Sequence, residues 1–163
     1  MKAGLRQLAR WALCGAAIAL FTAKAQAQPA APADCVGTPS AVWLRVTVDD
    51  VRSASGLIAL TLYADERSRF LVKGGSLAVM RVPAQQGTTQ ACIFLPAAGI
   101  YAVAVYHDED ANQKFNRSGL GFPAEGFGFS NNPATLAGLP SFGSVRLRVT
   151  QADLHTRIRL KYP

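Results

Sequence analysis

Beyond residue 41 the chain alternates apolar and polar residues with a period of two over most of its length. Val42, Leu44, Val46 and Val48 alternate with Trp43, Arg45, Thr47 and Asp49, the pattern of a strand with one buried face. After a polar break at 50–55 comes LIALTLY, in which Ile58, Leu60 and Leu62 share a face. Runs at 77–82 (LAVMRV) and 89–95 (TQACIFL) predict two further short strands. A Pro96–Gly99 turn leads into 100–106 (IYAVAVY), which is apolar on both faces and so belongs at the centre of a sheet. Val145, Leu147 and Val149 alternate with Arg146, Arg148 and Thr150. After Gln151–Asp153, Leu154, Thr156, Ile158, Leu160 and Tyr162 alternate with His155, Arg157, Arg159 and Lys161. Two such runs separated by a short turn predict a hairpin.

Seven strands with turn signals between them predict an all-β fold, a single-domain antiparallel β-sandwich of immunoglobulin-like or transthyretin-like type. Its expected core is Leu44, Val46, Leu60, Val103, Val105, Leu147, Ile158 and Leu160. Only 64–75 (ADERSRFLVKGG) has room for a helical turn.

The N-terminus follows another pattern. Lys2, Arg6 and Arg10 precede an apolar run from Trp11 to Phe21, and a small-residue stretch ends in Ala25-Gln26-Ala27. A positive end, a short apolar core and an A-x-A exit make a secretory signal peptide, with cleavage expected after Ala27. As a helix the apolar run covers about 16 Å, against about 30 Å for a bilayer core, too short for a stable anchor. Leu13 stands where a lipobox needs a small residue, so Cys14 belongs to the removed segment. The expected location is periplasmic or secreted, with no transmembrane anchor in the mature form. Residues 28–40 (QPAAPADCVGTPS) lack periodicity and read as a flexible leader, with the β domain over 41–163.

Cleavage changes the charge balance. The segment takes four of the 17 basic residues (Lys2, Arg6, Arg10, Lys24) and none of the ten acidic ones, so +7 becomes +3. A domain this weakly basic gives no argument for nucleic acid as a partner; an envelope or extracellular ligand is the expectation. Two cysteines remain, Cys35 and Cys92. In an oxidising compartment an even count predicts a disulfide; two reduced thiols are the alternative.

From His107 to Gly143 strand periodicity stops, far longer than an ordinary connection of about 4–6 residues. Phe115, Leu120, Phe122, Phe127, Phe129, Leu136, Leu139 and Phe142 give this loop the means to pack as a folded excursion. Within it Asp108, Asp110, Asn112 and Asn116 occupy loop positions one, three, five and nine, the spacing that points short oxygen side chains at one Ca²⁺. Gln113 stands where such loops carry glycine and Gly119 where they carry a bidentate glutamate; Glu125 can supply that carboxylate. The alternative is an Asx-rich turn whose side chains bond their own backbone.

The combination of His107-Asp108-Glu109, Gly121-Phe122-Pro123-Ala124-Glu125-Gly126, Gly128-Phe129-Ser130-Asn131 and Pro140-Ser141-Phe142 resembles the bacterial family catalogued as domain of unknown function 2141. The resemblance spans about Val42 to Tyr162. It implies an exported protein with a sandwich-type β domain and carries no activity. Asp110, Gln113 and Asn116 depart from the family's more usual D-E-N-x-N-G-x-x-D.

Three functional readings compete. The first is a non-enzymatic binding or structural domain, with Ca²⁺ at Asp108, Asp110, Asn112, Asn116 and Glu125 as its only candidate cofactor. The second is an envelope-associated binder of anionic glycan or lipid, using Arg146, Arg148, Arg157, Arg159 and Lys161 on the outward faces of the C-terminal hairpin. The third is a hydrolase built on His107, Asp108, Glu125 and Ser130. No G-x-S-x-G or H-E-x-x-H motif accompanies that set, and His155 falls on an outward strand face.

Overall fold

The computed structural model describes residues 30, 32–135 and 139–163; the expected signal peptide at 1–27 lies outside the described residues. The chain is nearly all β, in two sheets. One contains β1 (Cys35–Val36), β5 (Gly87–Leu95), β2 (Val42–Val51) and β9 (Leu154–Arg159), in that order. The other runs β4 (Ala78–Pro83), β3 (Leu57–Ala64), β6 (Gly99–Asp108), β7 (Phe127–Phe129), with β8 (Arg146–Val149) also pairing with β6. A 3-10 turn at Arg67–Arg69 falls within the one segment expected to hold a helical turn, and a short helix, α1 (Phe142–Val145), precedes β8.

The alternation seen in the sequence produces the core. Leu44, Val46 and Val48 from β2, Ile93 and Leu95 from β5 and Ile158 from β9 meet Ile58, Leu60 and Leu62 from β3 and Val103 and Val105 from β6 in one cluster. Of the eight residues expected there, all but Leu147 are buried; Leu147 is partly buried against the same cluster. The outer face of the second sheet has its own cover. The small side chains of Ala102 and Ala104 leave room for a second cluster of Tyr63, Phe70, Phe127, Phe129, Phe142 and Val145. Phe70 stands edge-on to Tyr63 at 5.2 Å and lies 5.4 Å from Phe142, separations at which aromatic pairs attract.

Three expectations are corrected. The last two strands do not form a hairpin: β8 lies antiparallel to β6 while β9 runs parallel to β2 in the other sheet, so that sheet is mixed and not antiparallel throughout as expected. Gln151–Asp153 is a crossing between sheets, and alternation alone cannot distinguish that from a tight hairpin turn. The leader contributes structure, because Cys35–Val36 pairs in parallel with Cys92–Ile93. The long loop is also interrupted by strand, since β7 adds Phe127–Phe129 to β6.

Cys35 and Cys92 are joined by a disulfide, with Cα atoms 4.3 Å apart. In the chain-entropy picture a closed loop of this length stabilises the fold by about 4 kcal/mol. Among the described residues no helix is long and apolar enough to cross a membrane.

Candidate metal centre

The site is built by strand register. β6 and β7 are antiparallel with Ala104 opposite Phe129 and Tyr106 opposite Phe127, and the His107 N–H donates to the Gly126 carbonyl at 2.8 Å. Two more steps along this register set Asp108 opposite Glu125. On the other side Leu57 pairs with Asp108, and Gly56, at φ +71°, touches it so closely that a Cβ would lie 2.0 Å from the Asp108 carbonyl oxygen. Only glycine fits there.

Between these opposed carboxylates the chain makes a tight excursion. Asp108 accepts from the backbone N–H groups of Asn112 (3.0 Å) and Gln113 (2.8 Å). Asp110 accepts from the Asn112 N–H at 3.2 Å and from the side-chain amides of Asn112 (2.8 Å) and Asn116 (3.0 Å). Glu125 accepts from the Asn116 N–H at 2.9 Å and from its amide at 3.3 Å. The amide of Asn112 reaches the Asn116 oxygen at 3.0 Å. All five candidate ligands therefore belong to one network. Gln113 has φ +63°, the left-handed conformation for which the equivalent position in calcium loops uses glycine.

Asp108 and Glu125 are buried and Asp110 is exposed, and the three offer oxygens within 4.8 Å of one another. Two oxygens on one Ca²⁺ at 2.3–2.6 Å can be about 5 Å apart at most, so this spacing fits a single ion. Among the described residues no Lys, Arg or His forms an ion pair with any of the three. Neighbouring cations are engaged elsewhere: Arg52 on Glu109, Arg81 on the Gln113 carbonyl, Arg117 on the Gly121 carbonyl and the Phe115 ring. Burial pushes the Glu125 carboxyl above its ordinary range, opposed by the Asn116 N–H and reinforced by the charges of Asp108 and Asp110. For Asp110 desolvation acts upward, but the bonds from Asn112 and Asn116 outweigh it and hold the group below the usual range.

The hydrolase constellation is not assembled. His107 is fully buried with both nitrogens engaged, Nε2 at 2.7 Å from the Ser55 carbonyl and Nδ1 at 2.8 Å from the Tyr162 hydroxyl. A carbonyl only accepts, so Nε2 carries the proton and Nδ1 accepts from Tyr162. Ser130 donates to the Val145 carbonyl and accepts from the Val103 N–H. Both side chains act as fasteners, His107 tying β6 to Ser55 and Tyr162, and Ser130 tying β6 to α1.

Splitting the C-terminal hairpin also divides the expected anion patch. Arg146 and Arg148 lie on the β6 sheet; Arg157 and Arg159 lie on the β2 sheet. Arg146 is paired with Asp65, Arg157 with Asp49 at 2.8 Å and Arg159 with Asp50 at 3.3 Å. His155 is exposed, 3.6 Å from Asp153.

Some of the site's support left no mark in the sequence. Glu109 binds Arg52, whose guanidinium lies 4.6 Å over the Tyr162 ring. Tyr162 also packs on Gly126, where a Cβ would meet its ring at 2.3 Å. The acidic run at 108–110 hinted at Glu109; nothing hinted at a C-terminal tyrosine.

Fold and site define a disulfide-linked, two-sheet β protein with an acidic loop closed by opposed strand ends. The chain belongs to the DUF2141 family, described as an uncharacterised protein conserved in bacteria, which matches residues 46–157. No curated protein and no solved structure matches it.

Proposed function

We propose that the protein is an exported, non-enzymatic β-sandwich of immunoglobulin-like or transthyretin-like type, whose 108–125 loop holds one Ca²⁺. The observation that carries this reading is the pair Asp108 and Glu125, buried and facing one another just beyond the β6–β7 pairing, with Asp110 beside them and, among the described residues, no basic side chain in an ion pair with any of the three. Like charges opposed across an antiparallel pair repel, and buried charge without a partner is costly. A divalent cation removes both penalties. Each carboxylate oxygen has two lone-pair directions, so one that accepts an N–H keeps another for the ion. The Asn112 and Asn116 amides supply oxygen to the same centre after half a turn about their last side-chain bond.

Export is supported by the N-terminal pattern of the sequence and by the disulfide, a bond kept in oxidising compartments. In such a compartment the ion's role is to fix the excursion and whatever surface it displays.

Calorimetric titration with calcium tests the site. One ion per chain is expected to bind, with binding abolished in Asp110→Asn, whose carboxylate is exposed and dispensable for the core, and kept in His155→Ala. If the wild-type protein takes up no calcium, the loop is a self-bonded Asx turn.

A further inference from the structure

Seven of the described residues other than glycine have a left-handed backbone, and four of them are asparagine or aspartate, which take that conformation most readily. Asn132 puts it to use along β9. Its amide donates to the Arg157 carbonyl at 2.9 Å while its oxygen accepts from the Arg159 N–H at 2.7 Å, so the side chain imitates a neighbouring strand. Asn131 covers the carbonyls of Ser144 and Arg146 where β8 begins. Leu71, at φ +57°, is the only large apolar residue among the seven, and it is exposed. A bulky side chain in this region is strained, and no burial in the core offsets that strain.

Leu71 stands in a turn that is held closed from within. The 3-10 turn at Arg67–Arg69 leads to Phe70, whose ring packs on Tyr63 at 5.2 Å. Beyond it the Gly75 N–H donates to the Val72 carbonyl at 3.0 Å, and the Arg69 guanidinium donates to the Gly74 carbonyl at 3.1 Å. Gly75 lies so close that a Cβ would sit 1.9 Å from the Arg69 carbonyl oxygen. Phe70 is the anchor, and Leu71 and Val72 are left in solvent. β4 continues the same surface: Val79 is opposite Thr61 and Ala78 opposite Leu62, and the next step sets Leu77 beside Tyr63. Of the seven large hydrophobic residues exposed among the described residues, Leu71, Val72, Leu77 and Val79 therefore border one face. Arg67, Arg69 and Lys73 are set among them, exposed and, among the described residues, in no ion pair. The one acid between positions 66 and 79 is Glu66, which accepts from Ser68. Arg81 and Pro83 blunt β4 as an edge for another strand, so it is the face and not the edge that is free.

We infer that this face, residues 67–79, docks on the surface of a bilayer with anionic headgroups. Three cations without counter-ions repel one another, and exposed apolar side chains are unfavourable in water. An anionic lipid surface relieves both: Arg67, Arg69 and Lys73 meet the headgroups while Leu71 and Val72 enter the apolar boundary beneath them. A second copy of this chain would bring like charges together, and a soluble polyanion would leave the apolar side chains in water. The Val72 and Gly74 carbonyls are already bonded within the turn, which lowers the cost of bringing it against lipid. The docking needs no calcium and so stands apart from the 108–125 loop.

Co-sedimentation of the purified protein with vesicles, in chelator, tests the inference. Vesicles of phosphatidylglycerol and phosphatidylcholine in equal parts should bind it, pure phosphatidylcholine far less, and added salt should weaken the binding. Arg67→Gln with Lys73→Gln should lower the partition coefficient about twentyfold, at about fivefold for each basic residue near an anionic surface. Leu71→Asn with Val72→Ser should lower it about tenfold or more, while Tm stays the same or rises, because asparagine takes the left-handed conformation more readily than leucine. The N-terminal apolar run is common to wild type and variants and cancels in the comparison. Leu120→Asn, at an exposed apolar site elsewhere, should bind as the wild type does. No binding to the mixed vesicles, equal binding to both kinds, binding that the two double variants leave unchanged, or an equal loss in Leu120→Asn overturns the proposal.

Discussion

Asp153 joins three side chains at the crossing between sheets. Trp43 Nε1 donates to it at 3.1 Å and Arg45 Nε at 2.7 Å, with His155 at 3.6 Å. The bond from Arg45 holds its carboxyl below the ordinary aspartate range, against a smaller opposing effect of desolvation. A carboxylate whose folded pKa is depressed contributes stability that is complete above the unfolded value, about 3.9, and is lost as pH falls through the folded value. Asp153→Asn removes that part of the acid sensitivity. The variant's unfolding midpoint should therefore change less than the wild type's between about pH 5 and pH 2. Trp43 fluorescence reports it directly, since protonation of Asp153 replaces the charged acceptor of the indole N–H with a neutral, weaker one. Identical acid profiles for the two proteins would remove Asp153 from the account. At this scale the sequence was partly legible: the Asp and Asn spacing picked out Asp108, Asp110, Asn112 and Asn116, which the fold brings into one hydrogen-bonded loop. Asp153 and Tyr162 escaped because the side chains and backbone groups they hydrogen-bond lie between 55 and 110 positions away in the chain.

Among the elements, strands were the most legible and their neighbours the least. All seven expected strands exist, because burying one face of a sheet imposes period two on the sequence wherever it occurs. β1 and β7 were missed: two or three residues are too few to show a period. The expected C-terminal hairpin failed because alternation records which face is buried and carries no information about which sheet receives it. Asn132 shows how an edge is managed by one side chain. It sits at φ +48°, a conformation that asparagine tolerates better than most residues. Asn132→Gly keeps the backbone freedom and deletes both bonds to β9. The expected loss is about 1 kcal/mol, read as a lower urea midpoint at unchanged slope. An unchanged midpoint would mean that water replaces the amide at no cost.

At the scale of the whole molecule, two sheets share one core, a disulfide ties the entry strand to β5, and β6 carries the site at its end. The site's geometry depends on long-range pairing. Residues 108 and 125 oppose one another only because β7 returns to β6, and that return was invisible in a stretch without periodicity. The sequence suggested Glu125 as a ligand because the loop lacked a carboxylate at its twelfth position; the register supplies the physical reason it is near. If a cation neutralises Asp108, Asp110 and Glu125, the folded chain binds it and the unfolded chain does not. Stability must then rise with calcium as RT ln(1 + [L]/Kd), about 2.7 kcal/mol at a hundredfold excess over Kd. For a domain of this size that is an increase in Tm of the order of 10 °C. The decisive measurement is thermal unfolding of the disulfide-intact protein in chelator and in millimolar calcium. The account predicts a Tm that climbs with calcium in the wild type and stays fixed in Asp108→Ala; a wild-type Tm that is the same in chelator and in calcium would contradict it.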